Sequence, residues 1–191
     1  MLDLRPEPSD SPASRALWEE YMALVASRLP GFRPTETIFA TPDAFRGPGT
    51  AWLVGYADGA AVCCGGLRPL AEDGVGEIKR MFVSGAARRH GYGRTLLAAL
   101  EGLAAECGYT SVRLFTTEVL VEARALYESA GYRVVGTVPD GTRTDFWLEK
   151  AIGPGRSPGT PANGAPAPGE DPNPVEETGG DREHEPRRDD A

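Results

Sequence analysis

Apolar and polar positions change period along the chain, and the changes mark out its elements. Leu2 and Leu4 alternate with Asp3 and Arg5 before Pro6, which predicts a short half-buried strand. From Ser11 the period becomes helical. Ser11 is a cap, Pro12 suits the first helical position, and Leu17, Tyr21, Leu24 and Arg28 form one stripe beside Trp18, Met22, Val25 and Leu29. Pro30 and Gly31 end that helix, and residues 32–49 hold prolines and scattered aromatics without a period, which predicts a loop with one helical turn. Trp52 to Ala57 and Ala60 to Cys64 flank Asp58-Gly59, a dipeptide able to supply the positive φ of a two-residue turn, so the pattern predicts a hairpin. A second break, Pro69 to Gly76, leads into a strand from Glu77 to Val83 and makes strands two to four a meander. Arg80 is polar where alternation calls for an apolar residue, marking either a bulge or a half-exposed strand.

The second half reads as a strand–helix–strand unit with a helix and a hairpin appended. Leu96, Leu97, Leu100 and Leu103 recur at helical spacing, and Gly108 after Cys107 closes that helix. Gly102 inside it costs on the order of 1 kcal/mol relative to alanine, which close approach of its backbone to the sheet would explain. Val112 and Leu114 alternate with Arg113 in a strand that, following a crossover helix, should run parallel to the Glu77 strand. Val119, Ala123, Leu126, Tyr127 and Ala130 form the stripe of a short helix ended by Gly131. Tyr132 to Val138 and Arg143 to Glu149, about Pro139-Asp140-Gly141, read as a last antiparallel hairpin. The expected fold class is α/β (α+β), a mixed, mostly antiparallel sheet of about seven strands flanked by helices.

Composition divides the chain into a folded part, residues 1–150, and a C-terminal tail, residues 151–191. The tail's 41 residues hold 8 Pro, 7 Gly, 9 acids and 4 Arg, with Ile152 and Val175 its only large aliphatics. Such a segment cannot bury enough apolar surface to offset the entropy of ordering, so it is expected to be disordered. It carries −5 of the total charge of −8, leaving −3 on residues 1–150. A mildly acidic domain without a basic run is a poor nucleic-acid binder, and no stretch approaches the roughly 18 apolar residues of a membrane span. Cys63, Cys64 and Cys107 give neither a disulfide framework nor a Cys-x-x-Cys pair, and His90 and His184 are the only histidines, so no metal site is legible. Adjacent in a strand, Cys63 and Cys64 should point to opposite faces as small buried side chains. The N-terminus lacks a signal pattern, and the expected setting is reducing and cytoplasmic.

The chemistry-bearing stretch is Arg88-Arg89-His90-Gly91-Tyr92-Gly93-Arg94-Thr95, between the Glu77 strand and its helix. Two glycines here let the chain turn tightly and leave amide N–H groups uncovered where the helix begins, a natural seat for phosphate. A dinucleotide fingerprint would need a third glycine at Leu96, and a Walker A loop would need Lys-Ser/Thr in place of Arg94-Thr95. The spacing that is present, Arg88-x-x-Gly91-x-Gly93 after a strand ending in Val83, resembles the acyl-CoA loop of the GNAT superfamily of N-acyltransferases. Ala123-x-x-Leu126-Tyr127-x-x-x-Gly131-Tyr132 resembles that family's second signature, and the element order agrees over residues 2–150. An asparagine common shortly before that alanine is replaced by the region of Thr117 and Leu120.

The resemblance implies parallel fourth and fifth strands that splay apart, with the arm of acetyl-CoA between them. It assigns the donor to Met81, Phe82 and Val83 on the strand, to Arg88, Arg89, His90, Gly91, Tyr92, Gly93, Arg94 and Thr95 on the loop, and to Tyr127. It implies direct attack by a primary amine of a small molecule, peptide or protein, with Tyr127 protonating the departing thiolate and Glu77 acting as a base through water. From the residues alone, Glu77 equally partners Lys79 or an arginine, and Tyr127 reads first as a core tyrosine filling its stripe. His90 reads as exposed and incidental. Phe32, Arg33, Glu36, Phe39 and Arg143 are the acceptor candidates, and the protein is expected to be a monomer or homodimer. Two rival readings stand beside this one: a non-catalytic acyl-CoA-binding or partner-binding module of the same fold, and a dinucleotide-dependent oxidoreductase, which Leu96 and the strand order oppose.

Overall fold

The computed structural model describes residues 1–29, 42–140 and 143–153. Seven strands form a single sheet: β1 (Asp3–Pro6), β2 (Ala51–Ala57), β3 (Ala60–Pro69), β4 (Val75–Val83), β5 (Ser111–Thr117), β6 (Arg133–Asp140) and β7 (Arg143–Ala151). They lie in the order β1-β2-β3-β4-β5-β7-β6, and only β4 and β5 are parallel. The three described α-helices are α1 (Pro12–Arg28), α2 (Tyr92–Glu106) and α3 (Val121–Ser129), with short 3-10 turns at Pro42–Phe45 and Gly85–Ala87.

Local chemistry accounts for most boundaries. Ser11 accepts from the Ser14 amide at 3.1 Å and Pro12 opens α1, as its capping pattern requires. Asp58 and Gly59 both take positive φ, 50° and 81°, the geometry of a type I′ hairpin turn. Gly108, at φ 84°, closes α2. Some expectations shift. α3 begins at Val121, so Val119 precedes it, and Pro139 and Asp140 belong to β6 rather than to the turn. A Cβ at Gly102 would meet nothing within 4 Å, so this glycine faces open space and no close approach to the sheet explains it. The domain runs slightly past the expected limit, since β7 extends to Ala151; the tail from residue 154 lies outside the described residues.

The sheet is buried on both sides, and strand alternation sorts the two cores. α2 and α3 cover one face, where Cys63, Leu67, Ile78, Val112, Leu114 and Leu148 meet Leu96, Leu97, Leu100 and Tyr127. On the other face Leu17 of α1 and Phe45 meet Trp52, Val54, Cys64 and Phe82. Cys63 and Cys64 are both fully buried, one in each core, and burial pushes the Cys63 thiol up to about 11. Each leucine buried to this degree contributes roughly 1.5–3 kcal/mol, so the α2 leucines alone fix that helix on the sheet.

Candidate functional site

The parallel pair is what opens the sheet. β4 and β5 are in register over Val75–Ile78 and Ser111–Leu114 and nowhere beyond. Past Ile78 and Leu114 each strand keeps its outer neighbour while the inner edges part, leaving β4 backbone groups turned toward a gap. Arg80 sharpens the divergence. Cys64 pairs with Phe82 and Gly66 with Lys79, so Arg80 and Met81 together oppose Gly65 in a bulge, and Arg80 takes φ 56°. Left-handed backbone at a non-glycine residue costs on the order of 1 kcal/mol. The Arg80 guanidinium offsets it over Trp18, at 4.8 Å, and Phe45, at 5.6 Å.

Beside β4, beyond the end of its pairing with β5, lies a cleft of about 470 Å³. Met81, Phe82 and Val83 form its strand wall, and Ala87, Arg88, Arg89, Gly91, Tyr92, Gly93 and Arg94 line the loop end. α3 contributes Glu122, Ala123, Leu126 and Tyr127, with Leu120 just before it, and α1 contributes Tyr21, Leu24 and Arg28. Gly91 caps α2 at φ 79°, a conformation costly for other residues. Gly93 is needed for a different reason: a Cβ there would lie 3.2 Å from Leu126 and 3.6 Å from Val83, in the seam between α3 and β4. Thr95 donates to the Gly91 carbonyl at 3.1 Å and begins the helical ladder, so the amides of Tyr92, Gly93 and Arg94 have no intrahelical acceptor. No side chain caps them. With Arg28, Arg88, Arg89 and Arg94 against the lone Glu122, the lining is strongly positive. Exposed helix amides amid arginines fit a pyrophosphate group, and the apolar remainder fits an extended, uncharged arm.

Ten of the twelve predicted donor-binding residues line this cleft, Tyr127 among them; His90 and Thr95 do not. His90 turns back on its own loop, its Nδ1 donating to the Arg88 carbonyl at 2.9 Å. Thr95 directs its hydroxyl to the Gly91 carbonyl at 3.4 Å. Tyr127 is 6% exposed, burial raises its phenol well above the usual tyrosine range, and it is neutral at any physiological pH. Glu77 is placed elsewhere. It is fully buried below the point where the strands part, accepts from Arg68 Nε at 2.7 Å, and lies 3.6 Å from Lys79 Nζ, outside the cleft lining. Among the acceptor candidates, Phe32, Arg33, Glu36 and Phe39 lie outside the described residues, and Arg143 opens β7 opposite Asp140.

The α1 wall is what the sequence reading missed. Tyr21, Leu24 and Arg28 look like one stripe of a core helix, yet that stripe overhangs the cleft, and Arg28 donates to both carboxylate oxygens of Glu122 at 2.6 and 2.8 Å. The hydrogen bond from Arg28, foremost, holds the Glu122 carboxyl down at about 2. Among the described residues, no group of three His, Cys, Asp or Glu side chains could hold a metal, and no helix is long and apolar enough to cross a membrane.

Against known proteins, the model of the acetyltransferase (GNAT) family matches residues 15–132. An IAA acetyltransferase of Azospirillum brasilense is 36% identical over 85 residues, 44% of this chain and 56% of that protein. The chain spans between 30% and 56% of the length of the curated relatives it matches. Among solved structures, a GCN5-related N-acetyltransferase of Kribbella flavida has a TM-score of 0.65 at 22% identity, covering 78% of this chain and 97% of that one. The yncA protein of Salmonella typhimurium, solved with its cofactor acetyl-CoA, has a TM-score of 0.65 at 20% identity over 83% and 98%. At these identities the two structures share the fold with this chain.

Proposed function

The chain belongs to the acetyltransferase (GNAT) family, and on that premise we propose that it transfers an acetyl group from acetyl-CoA to a primary amine by direct attack. The observation that carries the reading is the cleft itself: free helix amides and arginines at one end, parted parallel strands in the middle, and a buried neutral tyrosine beside the gap. The amides of Tyr92, Gly93 and Arg94 bind the donor's pyrophosphate, and the unpaired edge of β4 holds its pantetheine arm by backbone hydrogen bonds. Orientation of the amine against the thioester supplies much of the rate, and a β4 amide stabilises the oxyanion of the tetrahedral intermediate. As the carbon–sulfur bond breaks, its electron pair goes to sulfur, and Tyr127, being protonated, can donate to the thiolate. For Glu77 the geometry supports a positioning part, locking β4 to Arg68 and Lys79 just below the gap. The acceptor is an amine on a small molecule, peptide or protein.

Calorimetry with acetyl-CoA, followed by thiol detection of CoA release across a panel of amines, tests this reading. Binding with amine-dependent release is the expected result. Gly93→Val, which pushes a branched side chain toward Leu126 and over the free amides, should weaken acetyl-CoA binding more than tenfold. Binding without release for any amine would favour the non-catalytic module, and no binding would remove the cofactor assignment.

A further inference from the structure

The cleft has two tyrosines, and the proposed chemistry uses one. Tyr127 stands on α3, which packs on the β5 side of one sheet face, within the core of Leu96, Leu114 and Leu148. Tyr21 stands on α1, which covers the opposite face, its ring 5.7 Å from Phe82 and 5.0 Å from Trp18. Both line the same cleft, which runs beside β4 beyond the end of its pairing with β5. Neither phenolic oxygen hydrogen-bonds to another described residue, and neither is sealed away as a buried orphan. Two phenols on residues that line one cavity, with no hydrogen-bond partner among the described residues, are available to what enters it.

Acyl transfer releases one proton at nitrogen and consumes one at sulfur. We propose that Tyr21 is a second catalytic residue, which takes the proton leaving the amine and passes its own through a cleft water to Tyr127, so that the proton shed at nitrogen replaces the one given to sulfur. This rests on the acyl-transfer reading above. The nitrogen lone pair forms the C–N bond and the C–S pair leaves with sulfur. One N–H proton moves to the Tyr21 oxygen as the Tyr21 O–H proton moves to water. Water gives a proton to Tyr127, and the Tyr127 O–H proton goes to sulfur. Nothing is left charged, and no carboxylate is required, which agrees with Glu77 being occupied by Arg68 outside the cleft.

The electrostatics suit a relay between neutral groups. Burial raises Tyr21 to about 12, opposed by the Arg80 guanidinium, and Tyr21 in turn raises Tyr127, which places the two within electrostatic reach. The other charged groups facing the cleft are Arg28 and Glu122, paired across its mouth, and Arg88, Arg89 and Arg94 at its loop end. None of these offers a free base. Both phenols therefore stay protonated across the neutral range and can exchange protons only in concert.

The test compares wild type, Tyr21→Phe, Tyr127→Phe and the double variant, using the best amine from the panel. Tyr21→Phe should keep its ring contacts and bind acetyl-CoA within about twofold of wild type, while kcat falls roughly 10- to 100-fold, within the range of general acid–base catalysis. The double variant should be no slower than the slower single variant, because a broken relay cannot be broken twice. Proton inventories in mixed H₂O and D₂O should curve for the wild type and become linear for either single variant. A Tyr21→Phe enzyme with wild-type kcat and a curved inventory, or losses that multiply in the double variant, would overturn the relay and leave the acyl-transfer reading standing. A wild type that releases no CoA with any amine overturns both.

Discussion

The two ends of the β4–β5 pair differ in what their polar groups are for. At the closed end one cross-strand row carries Arg68, Glu77, Arg113 and Glu149 on β3, β4, β5 and β7. Glu77 is bound by Arg68, and Arg113 by Glu149 at 2.7 Å and Glu72 at 2.6 Å, so charge alternates across the sheet and cancels. Burial is tolerable there only because each charge has a partner. At the open end, four residues along, the same strand presents unpaired backbone, the α2 amides have no side-chain cap, and two phenols have no partner among the described residues. One end pairs its charges internally and holds the strands together; the other leaves backbone groups without a partner among the described residues. A carboxylate and a tyrosine that the family resemblance names together are separated by that boundary.

The largest expected effect falls at the open end. Tyr127→Phe keeps the ring in its core and removes only the hydroxyl, so acetyl-CoA affinity and the unfolding midpoint should hold while kcat drops roughly 100- to 10,000-fold. Steady-state kinetics beside thermal denaturation would show the separation, and an equal loss in both would make Tyr127 a packing residue. At the closed end the pattern should invert. Glu77→Ala takes the buried carboxylate away from Arg68 and Lys79, and because both are about a quarter exposed, the cost should sit near the lower end for a broken buried pair, about 3 kcal/mol. Urea titration measures it, and the protein that remains folded should still bind acetyl-CoA.

Smaller effects test the rim and the tail. Glu122 is held at about 2 against 4.5 when unpaired, so its bond to Arg28 contributes fully above about pH 4.5 and is lost as pH falls through about 2. Its side chain is 62% exposed, which screens the pair. Glu122→Gln should therefore lower stability slightly at pH 6 and by much less near pH 2, a narrowing that denaturant midpoints at the two pH values would reveal. Smallest of all, we propose that ending the chain after Gly153 leaves the thermal midpoint and acetyl-CoA binding unchanged, since the removed residues have no core-forming pattern. A shift of several degrees would show that the tail docks.

Sequence alone determined what depends on neighbours in the chain. Helix and strand periods, the Ser11 cap, the positive φ at Asp58 and Gly59, the Gly91 turn and the Tyr127 stripe all follow from side-chain spacing and backbone sterics within a few residues. The structure decided what depends on strands and helices arriving from elsewhere. Arg28 meets Glu122 across 94 residues, Glu77 finds Arg68 on the next strand, and Tyr21 reaches the cleft because β4 and β5 part above Ile78 and Leu114. A helical stripe facing a packed core and one overhanging a gap have the same period, and only the absence of a strand pairing beneath them tells the two apart.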